Sequence, residues 1–324
     1  MENKITIQRI AELAGVNKAT VSRVLNGSAP ISSKTREKIE QIIKEYNYVP
    51  NSLARGLASK KTLTIGLCQD YSNKRAFFNP FFYKVLYGIE NIVYQYDYSF
   101  LLMSHHEREH GKSMFERVVS EQKVDGIIIP SLLCTEANYE LLVQHRMPFV
   151  VLGESPFSGR GIHWVDVDNQ QAASVLTARL VELGYRRIGI YSDKQAADRD
   201  RFIQNRIQGY ISAMSQSGLQ PIVETDLSAM YAHRPEVIIC CTHEQLFSLL
   251  DENKDGAPQS EVVLATFDDN PLFQYLKRPI HYVSLELEKM GEEAASLLFS
   301  NINQASDVPQ YIQVATSEAS VTNH

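Results

Sequence analysis

The chain has 324 residues, of which 44% are hydrophobic and 22% charged, the composition of an ordinary globular protein with two or three folding units. This composition excludes intrinsic disorder, a collagen-like repeat and a coiled coil, and no apolar run approaches the ~18–20 residues of a membrane helix. The net charge of −6 hides an asymmetry: residues 1–61 hold eleven Lys or Arg against five Glu (+6), and the remaining residues sum to −12. A basic head on an acidic body predicts a polyanion-binding module joined to a body that does not bind polyanions.

The N-terminus and the cysteines both indicate in which cellular compartment the protein is expected. The first residues carry charges where a signal peptide needs an apolar segment, so we expect a cytoplasmic protein. The cysteines, which lie in apolar runs without C-x-x-C spacing, are Cys68, Cys134, Cys240 and Cys241. We predict that these thiols are reduced and buried.

The basic head has the apolar periodicity of three short helices. Thr6 can cap the first helix, and Gly15 interrupts its pattern. The apolar face of this helix consists of Ile7, Ile10, Ala11 and Ala14. The inner face of the second helix consists of Val16, Val21, Val24 and Leu25. With a third helix at residues 33–46, this is the pattern of a helix-turn-helix, and a helical bundle without DNA contact is the alternative.

The segment from Val16 to Leu67 reads VNKATVSRVLNGSAPISSKTREKIEQIIKEYNYVPNSLARGLASKKTLTIGL and closely resembles the head of the lac repressor-type (LacI/GalR) family of bacterial transcription regulators. The resemblance implies that the second helix enters the major groove, where Lys18 and Ala19 vary with the operator and Arg23 contacts a base. The chemistry agrees, because Arg is a bidentate partner of guanine and Ala can pack on a thymine methyl group. Lys18 could equally contact a phosphate. The other DNA-contact candidates are Thr6, Asn17, Thr20, Ser22, Asn26 and Asn51.

Residues 51–61 are predicted to form a hinge helix in which Leu53 and Leu57 lie one turn apart on one face. In the family such a helix orders on DNA, and its leucine opens a central base step from the minor groove; Leu57 has that position here. Gly56 disfavours a helix by ~1 kcal/mol relative to Ala, which favours a hinge that is helical only on DNA. A flexible linker with a chance pair of leucines is the alternative.

From residue 62 onward, short apolar strands alternate with amphipathic helices. The predicted strands are 63–68, 99–103, 126–130, 149–152, 188–191, 237–241 and 262–267, and the helices include 82–96 and 172–183. Such alternation implies parallel sheets with ligands beyond the carboxyl ends of the strands. The resemblance implies two Rossmann-like lobes of the periplasmic sugar-binding type, joined by crossings near 155–161, 283–285 and 301–306.

The predicted fold class is therefore an all-α helix-turn-helix DNA-binding head on an α/β two-lobed, periplasmic-binding-protein-like core. The predicted bounds are 1–50 for the head, 51–61 for the hinge and 62–324 for the core. Lobe 1 would comprise about 62–158 and 286–302, and lobe 2 about 159–285 and 303–324.

Three motifs of the core resemble the family's effector-binding segments. Phe81 and Phe82 end an NPFF sequence, Arg206 begins an R-x-x-G-Y sequence, and Asp268 stands in a GFDD motif whose glycine is Thr266 here. A sugar offers hydroxyls that pair with Arg and Asp, and apolar faces that stack on aromatic rings. The resemblance therefore implies a sugar effector, with the candidate contacts Phe81, Phe82, Ser131, Glu154, Trp164, Arg206 and Asp268. Each aromatic residue could instead belong to the core.

The core also departs from the family's pattern. Thr242-His243-Glu244 stands where many members have an Asn-Asp pair. The run 267–286 is loosely similar to the trehalose repressor branch, whose ligand is a sugar phosphate. Glu154, which follows strand 149–152, would repel a phosphate but can accept hydrogen bonds from hydroxyl or amino groups, unless it points to solvent. We therefore predict a neutral sugar or an amino sugar rather than a phosphate ester.

No motif supports catalysis. The segment 106–110 (HEREH) fits the H-E-x-x-H pattern of zinc proteases, but it follows strand 99–103 directly and meets Gly111, so we interpret it as a solvated loop. Without a P-loop, a GxGxxG sequence, a nucleophile elbow or a Cys/His zinc pair, we expect no enzyme activity, no metal and no cofactor. The alternatives are a sugar-binding transport protein and a zinc-dependent or sugar-active enzyme.

The predicted function is a sequence-specific transcriptional regulator, a repressor of a carbohydrate operon controlled by a small sugar. One helix-turn-helix covers only a half-site, so we expect a homodimer on a pseudo-palindromic operator of the bacterial nucleoid. Whether such dimers pair into tetramers is left open.

Overall fold

The computed structural model describes residues 5–25, 31–48, 61–69, 80–104, 113–157, 159–252, 262–276, 278–303, 308–316 and 319–321. The chain divides into two compact units, Met1–Leu63 and Thr64–His324, which we call the head and the core. The predicted hinge at 51–61 (Lys61 excepted) and the HEREH segment lie outside the described residues.

The head contains three helices: α1 (Ile7–Ala14), α2 (Lys18–Leu25) and α3 (Ser33–Glu45). The hydroxyl of Thr6 accepts a hydrogen bond from the backbone N of Arg9 (3.3 Å) and so caps α1. Gly15 ends α1 in the left-handed region (φ 71°), where a side chain would strain the backbone. The predicted helix-turn-helix is confirmed, with its core between the three helices at Ile10, Val21 and Ile39.

The core contains two six-stranded sheets. The strands are β1 (Thr64–Gln69), β2 (Ser99–Ser104), β3 (Gly126–Pro130), β4 (Phe149–Leu152), β5 (Trp164–Val167), β6 (Ile188–Tyr191), β7 (Ile222–Glu224), β8 (Val237–Cys240), β9 (Val263–Phe267), β10 (Ile280–Val283), β11 (Tyr311–Val314) and β12 (Ala319–Val321). Lobe 1 has the order β11-β5-β4-β3-β1-β2, and lobe 2 the order β12-β10-β9-β8-β6-β7. Described strand pairs are parallel except β10 with β12, so the predicted parallel α/β lobes are confirmed.

Helices pack on both sheets. They are α4 (Pro80–Gln95), α5 (Met114–Ser120), α6 (Glu136–Gln144), α7 (Asn169–Glu182), α8 (Lys194–Arg199), α9 (Arg201–Gln216), α10 (Leu227–Ala232), α11 (His243–Glu252) and α12 (Leu287–Ile302). Helices α4 and α12 pack together in lobe 1, and α7 and α9 pack together in lobe 2. A Cβ atom on Gly88 of α4 would overlap the carbonyl oxygen of Glu288, and one on Gly209 of α9 would overlap that of Gln170. Glycine therefore permits the close approach of the backbones in both lobes.

Two of the three predicted crossings between the lobes are wrong. β5 pairs with β4 and β11 in lobe 1, so the first crossing follows Val167 instead of lying at 155–161. β11 also belongs to lobe 1, so the last crossing lies between β11 and β12 and not at 301–306. Both errors have one cause, since β5 and β11 are four-residue strands with polar residues that lack a continuous apolar run. Only the crossing near 283–285 falls between β10 and α12, as predicted.

The predicted burial of the cysteines is confirmed, because all four are buried free thiols. Burial raises the pKa of the Cys134 thiol to about 12, so it stays protonated. No helix among the described residues is long and apolar enough to cross a membrane.

Candidate functional site

The outer face of α2 carries the predicted base contacts. Lys18, Ala19 and Arg23 are exposed, whereas Val21 and Val24 are buried in the core of the head. Because residues four apart lie on one face of a helix, Ala19 and Arg23 present a common surface. This surface leaves a guanidinium and a methyl group accessible to a base edge.

The other predicted DNA contacts of the head and the hinge differ in their surroundings. The Oδ1 atom of Asn17 accepts hydrogen bonds from the backbone N (2.8 Å) and the hydroxyl (2.9 Å) of Thr20, so Asn17 caps α2. Ser22 is half-buried on the same helix, and Thr6 caps α1. Asn26, Asn51 and Leu57 lie outside the described residues.

A cavity of about 480 Å³ lies between the two lobes of the core. Its apolar wall includes Phe81, Phe82 and Val85 from α4, together with Phe202 and Phe267 from lobe 2. Its ionisable groups are the carboxylates of Glu154, Asp166, Asp193, Asp200, Glu244 and Asp268, the guanidinium groups of Arg199, Arg201 and Arg206, and the imidazole of His243. Ser131 also lines it, so six of the seven predicted effector contacts meet in one place.

Arg206 is buried in the wall of this cavity. Its Nε donates to Oδ1 of Asn169 (2.9 Å), and its Nη1 donates to the backbone oxygen of Cys241 (2.5 Å). The guanidinium carbon lies 4.1 Å from the ring centroid of Phe267. Burial lowers the pKa of Arg206 to about 10, which leaves the group charged at neutral pH. The result is a fixed cation held by neutral acceptors.

Asp268 is the second buried charge of lobe 2. It follows β9 in the left-handed region (φ 69°), a conformation that is strained for a residue with a side chain. Its carboxylate accepts hydrogen bonds from Nζ of Lys84 (3.0 and 3.1 Å) and lies 3.4 Å from the backbone N of Leu285. Burial raises the pKa of Asp268 to about 7, while the charge of Lys84 acts in the opposite direction.

Asp166 and Asn169 link Arg206 to the first crossing. The amide of Asn169 receives the Nε hydrogen of Arg206 and donates to Oδ2 of Asp166 (3.2 Å). Asp166 also accepts from the backbone N of Glu154 (3.1 Å) and of Val167 (2.8 Å). Burial raises the pKa of Asp166 to about 6. The chain Arg206–Asn169–Asp166 therefore connects the two lobes through hydrogen bonds.

Glu154 lies at the end of β4 and faces lobe 2. Its carboxylate accepts hydrogen bonds from Nη1 of Arg201 (2.5 Å) and from Nδ2 of Asn205 (3.1 Å). It therefore lines the cavity as one half of an ion pair instead of pointing freely to solvent.

Trp164 is the predicted contact that does not line the cavity. It begins β5, where its ring packs against Tyr311 of β11 with the centroids 5.6 Å apart. The stacking role expected for it is wrong, because β5 runs parallel to β4 and only its far end, at Asp166 and Val167, reaches the cavity.

Sequence reasoning missed several residues of this site. Lys84 lies two residues after the NPFF sequence, and Asp166 and Asn169 are the first and last residues of the sequence DVDN at 166–169. Neither segment by itself marks these side chains as part of a cavity. His243 replaces the expected Asn-Asp pair and lines the cavity, with its Nε2 3.2 Å from the backbone oxygen of Asp268. No group of three or more His, Cys, Asp or Glu side chains suited to a metal ion occurs in the part of the chain that the structure describes.

Comparisons with known proteins cover both units. Residues 6–51 match the family described as bacterial regulatory proteins, lacI family, and residues 64–320 match the periplasmic binding proteins and sugar binding domain of the LacI family. Catabolite control protein A of Staphylococcus aureus (strain N315) is 28% identical over 318 residues, covering 92% of this chain and 93% of that protein.

Two solved structures extend the comparison. The complex of the transcriptional regulator CelR with cellobiose superposes with a TM-score of 0.66 at 25% identity, over 98% of both chains. The lac repressor dimer bound to operator and the anti-inducer ONPF has a TM-score of 0.69 at 18% identity, over 99% of this chain and 98% of that chain, and supports the fold. The matches to both units show that the chain belongs to the lacI family of bacterial regulatory proteins and is a DNA-binding transcriptional regulator.

Proposed function

We propose that this regulator binds a pseudo-palindromic operator as a homodimer and that a small sugar in the cavity of the core controls its operator affinity. The cavity carries the proposal, because it combines aromatic rings of Phe81 and Phe82 with the fixed polar groups of Arg206 and Asp268. Rings cover the apolar faces of a sugar, and buried charged groups pair with its hydroxyls. The solved relative with bound cellobiose supports this class of ligand.

The proposed DNA contacts follow from the exposed face of α2. Arg23 reads a base, Ala19 packs on a thymine methyl group, and Lys18 contacts a base or a phosphate. One α2 helix serves one half-site, so the second half-site requires a second chain related by two-fold symmetry. The hinge at 51–61 and its wedge residue Leu57 belong to the same proposal. We expect this complex to form on chromosomal DNA in the cytoplasm.

The effector acts by preferring one arrangement of the lobes. A ligand that touches both lobes shifts the equilibrium between arrangements by its difference in affinity for them. When the operator favours one of these arrangements, the same free energy couples sugar and DNA binding. This mechanism requires binding alone, and the protein needs no enzymatic activity.

Effector binding is tested with the full chain and a panel of sugars. Cellobiose, maltose, ribose, glucose and glucosamine would be compared by thermal shift and calorimetry, because a ligand of the folded state stabilises it by mass action. For a sugar that binds, Arg206→Ala should remove the response while operator affinity stays nearly intact. The matched control is Arg179→Ala, an exposed arginine of lobe 2 that pairs with Glu182. A variant Arg206→Ala that responds at wild-type sugar concentrations would place Arg206 outside the site.

Operator binding is tested by selection of duplexes followed by affinity measurements. Arg23→Ala should weaken binding to the selected operator by about 1–3 kcal/mol and relax the preference at one base pair per half-site. Lys38→Ala, an exposed basic residue of α3, is the control for a general loss of charge. Equal weakening on operator and on random DNA would show that Arg23 contacts only phosphate.

A further inference from the structure

Lys84 joins the two lobes at the buried carboxylate of the cavity. It lies on α4 of lobe 1, and its ammonium group donates to both oxygens of Asp268 in lobe 2. It also donates to Oδ1 of the adjacent Asp269. One side chain of lobe 1 thus contacts two consecutive carboxyl groups of lobe 2.

The burial of this contact distinguishes it from the other ion pairs. The side chain of Lys84 is 24% exposed and that of Asp268 is 4% exposed. In the second pair between the lobes, Glu154 with Arg201, the side chains are 27% and 43% exposed. Because a buried charge depends on its partner more than an exposed one does, Lys84 should contribute more than Arg201 to the ion pairing between the lobes.

Opening of the lobes would leave the carboxylates without this cation. Asp268 and Asp269 are neighbouring carboxyl groups that repel each other when both are ionised, and Arg206 is held by Asn169 and Cys241 instead of by Asp268. Separation would therefore leave a buried carboxylate beside a second one, which is unfavourable until Asp268 is protonated or hydrated. Closure restores the pairing, so its free energy depends on Lys84.

We propose that Lys84 is a positioning residue whose ion pairs with Asp268 and Asp269 hold the two lobes closed around the cavity before any effector binds. An effector that uses Asp268 meets a carboxyl group that already pairs with Lys84 and is fixed in position. Such a carboxylate accepts a hydroxyl hydrogen bond without the need to attract a second cation. This last step rests on the proposed sugar site, whereas the closure itself does not.

The test measures the distance between the lobes in the full chain without ligand. Spin labels on Val143→Cys in lobe 1 and Leu183→Cys in lobe 2 use exposed positions, and the four native cysteines are buried. Labelled chain is diluted with unlabelled chain so that pulsed electron resonance reports distances within one chain. Lys84→Met should shift most of the distance distribution away from that of the parent, which is the doubly labelled chain with Lys84.

Three further variants separate the ion pair from a general effect of the substitution. Lys123→Met removes an exposed lysine of lobe 1 that pairs with Glu121, and should leave the distances unchanged. Lys84→Arg, which keeps the charge, should retain the closed distribution. The exchange Lys84→Asp with Asp269→Lys should restore part of the closure that Lys84→Asp alone loses.

The outcomes are distinct for the two proposals. A Lys84→Met distribution that overlies the parent distribution overturns the role of Lys84, as does a Lys84→Arg variant that opens like Lys84→Met. Circular dichroism of each variant shows whether an altered distance distribution reflects unfolding. If a variant is unfolded, the charge exchange decides whether the ion pair is required for closure, and an exchange that restores no closure overturns the role of Lys84. A parent chain that closes through Lys84 yet responds to none of the sugars would instead refute the proposed effector class.

Discussion

The two lobes of the core share one plan but differ at the cavity. β6 and β8 occupy in lobe 2 the places that β1 and β3 occupy in lobe 1. Glycine allows two helices to pack closely in each lobe, at Gly88 and Gly291 in lobe 1 and at Gly209 in lobe 2. Val85 stands three residues before Gly88 and Arg206 three residues before Gly209, and both line the cavity. The glycines thus serve the same packing in both lobes, while the residue three positions earlier is apolar in lobe 1 and charged in lobe 2.

The residues after β4 and β9 repeat this contrast. Gly153 (φ 93°) donates its backbone N–H to the oxygen of Val165 (2.8 Å), and Asp268 (φ 69°) donates to that of Val283 (2.7 Å). The same left-handed turn thus holds glycine in lobe 1 and a strained aspartate in lobe 2. Strain at a residue with a side chain persists where the surroundings enforce it, which is common at binding sites. The structure therefore places a carboxyl group in lobe 2 at a position where lobe 1 has glycine.

The largest expected effect comes from disrupting the close helix packing that both lobes share. Gly88→Val and Gly209→Val each place a side chain onto a backbone carbonyl of the facing helix, which cannot move aside. Each should lower the free energy of unfolding by about 3 kcal/mol, the upper end of the usual cost of overpacking, measured by chemical denaturation. Gly66→Ala is the control, because its Cβ would meet only the flexible end of Met103. A loss confined to one lobe would show that the two helix pairs are not equivalent.

The second prediction concerns Asp166. It follows Val165, the acceptor of the Gly153 hydrogen bond, whereas the corresponding acceptor in lobe 2, Val283, is followed by Ser284. Because burial raises the pKa of Asp166 to about 6, the folded state binds its proton more tightly than the unfolded state. The stability contributed by this group is full below pH ~3.8 and is lost as the pH rises through about 6. Between pH 4.5 and 7 this loss amounts to about 2 kcal/mol.

The measurement compares the wild type with Asp166→Asn, so that the other carboxylates cancel. The difference in unfolding free energy, wild type minus variant, should fall by that amount as the pH rises from 4.5 to 7. A difference that stays constant with pH would mean that the pKa of Asp166 is not raised.

The third prediction sharpens the contrast between Gly153 and Asp268. Asp268→Gly and Asp268→Ala both remove the carboxylate, but only alanine keeps the left-handed strain. The glycine variant should therefore be more stable by about 1 kcal/mol in chemical denaturation. Gly153→Ala should lose a similar amount, increased by contact with the hydroxyl of Ser131. Equal stability of the two Asp268 variants would show that the backbone relaxes when the carboxylate is removed.

The sequence predicted those parts of the fold that rest on local apolar runs. The bounds of β3, β4 and β6 agree with prediction, because each is a short buried run between turn residues. The strands β5, β7, β10, β11 and β12, each three or four residues long, were missed. A polar residue interrupts both β5 and β11, and their pairing is set by distant segments. The crossings were therefore misplaced, because β5 and β11 both belong to lobe 1.

The residues of the cavity likewise divide into those that a sequence motif identifies and those that only the folded chain brings together. The family's motifs identified Arg206 and Asp268, and the structure shows that both line the cavity. Lys84 could not be predicted, because its contact with Asp268 joins residues 184 positions apart on different lobes. Such a pair leaves no periodicity or spacing in the sequence. Local patterns thus predict which elements form, whereas contacts between lobes require the folded chain.

The smallest expected effect concerns the charge of the effector, which would meet the carboxylate of Glu154 and the other charged groups of the cavity. The cavity has six carboxylates and three guanidinium groups, so its field disfavours an added negative charge. Glu154 alone could repel a phosphate strongly, but Arg201 lies 2.5 Å from its carboxylate and offsets much of that repulsion. We therefore expect a neutral or amino sugar to bind only about threefold to fivefold more tightly than its phosphate ester, less than about 1 kcal/mol. Calorimetry with glucose, glucosamine and their 6-phosphates measures this ratio for a sugar that binds. In Arg201→Met, which exposes the charge of Glu154, the preference should grow, whereas tighter binding of the phosphate ester by the wild type would contradict the prediction.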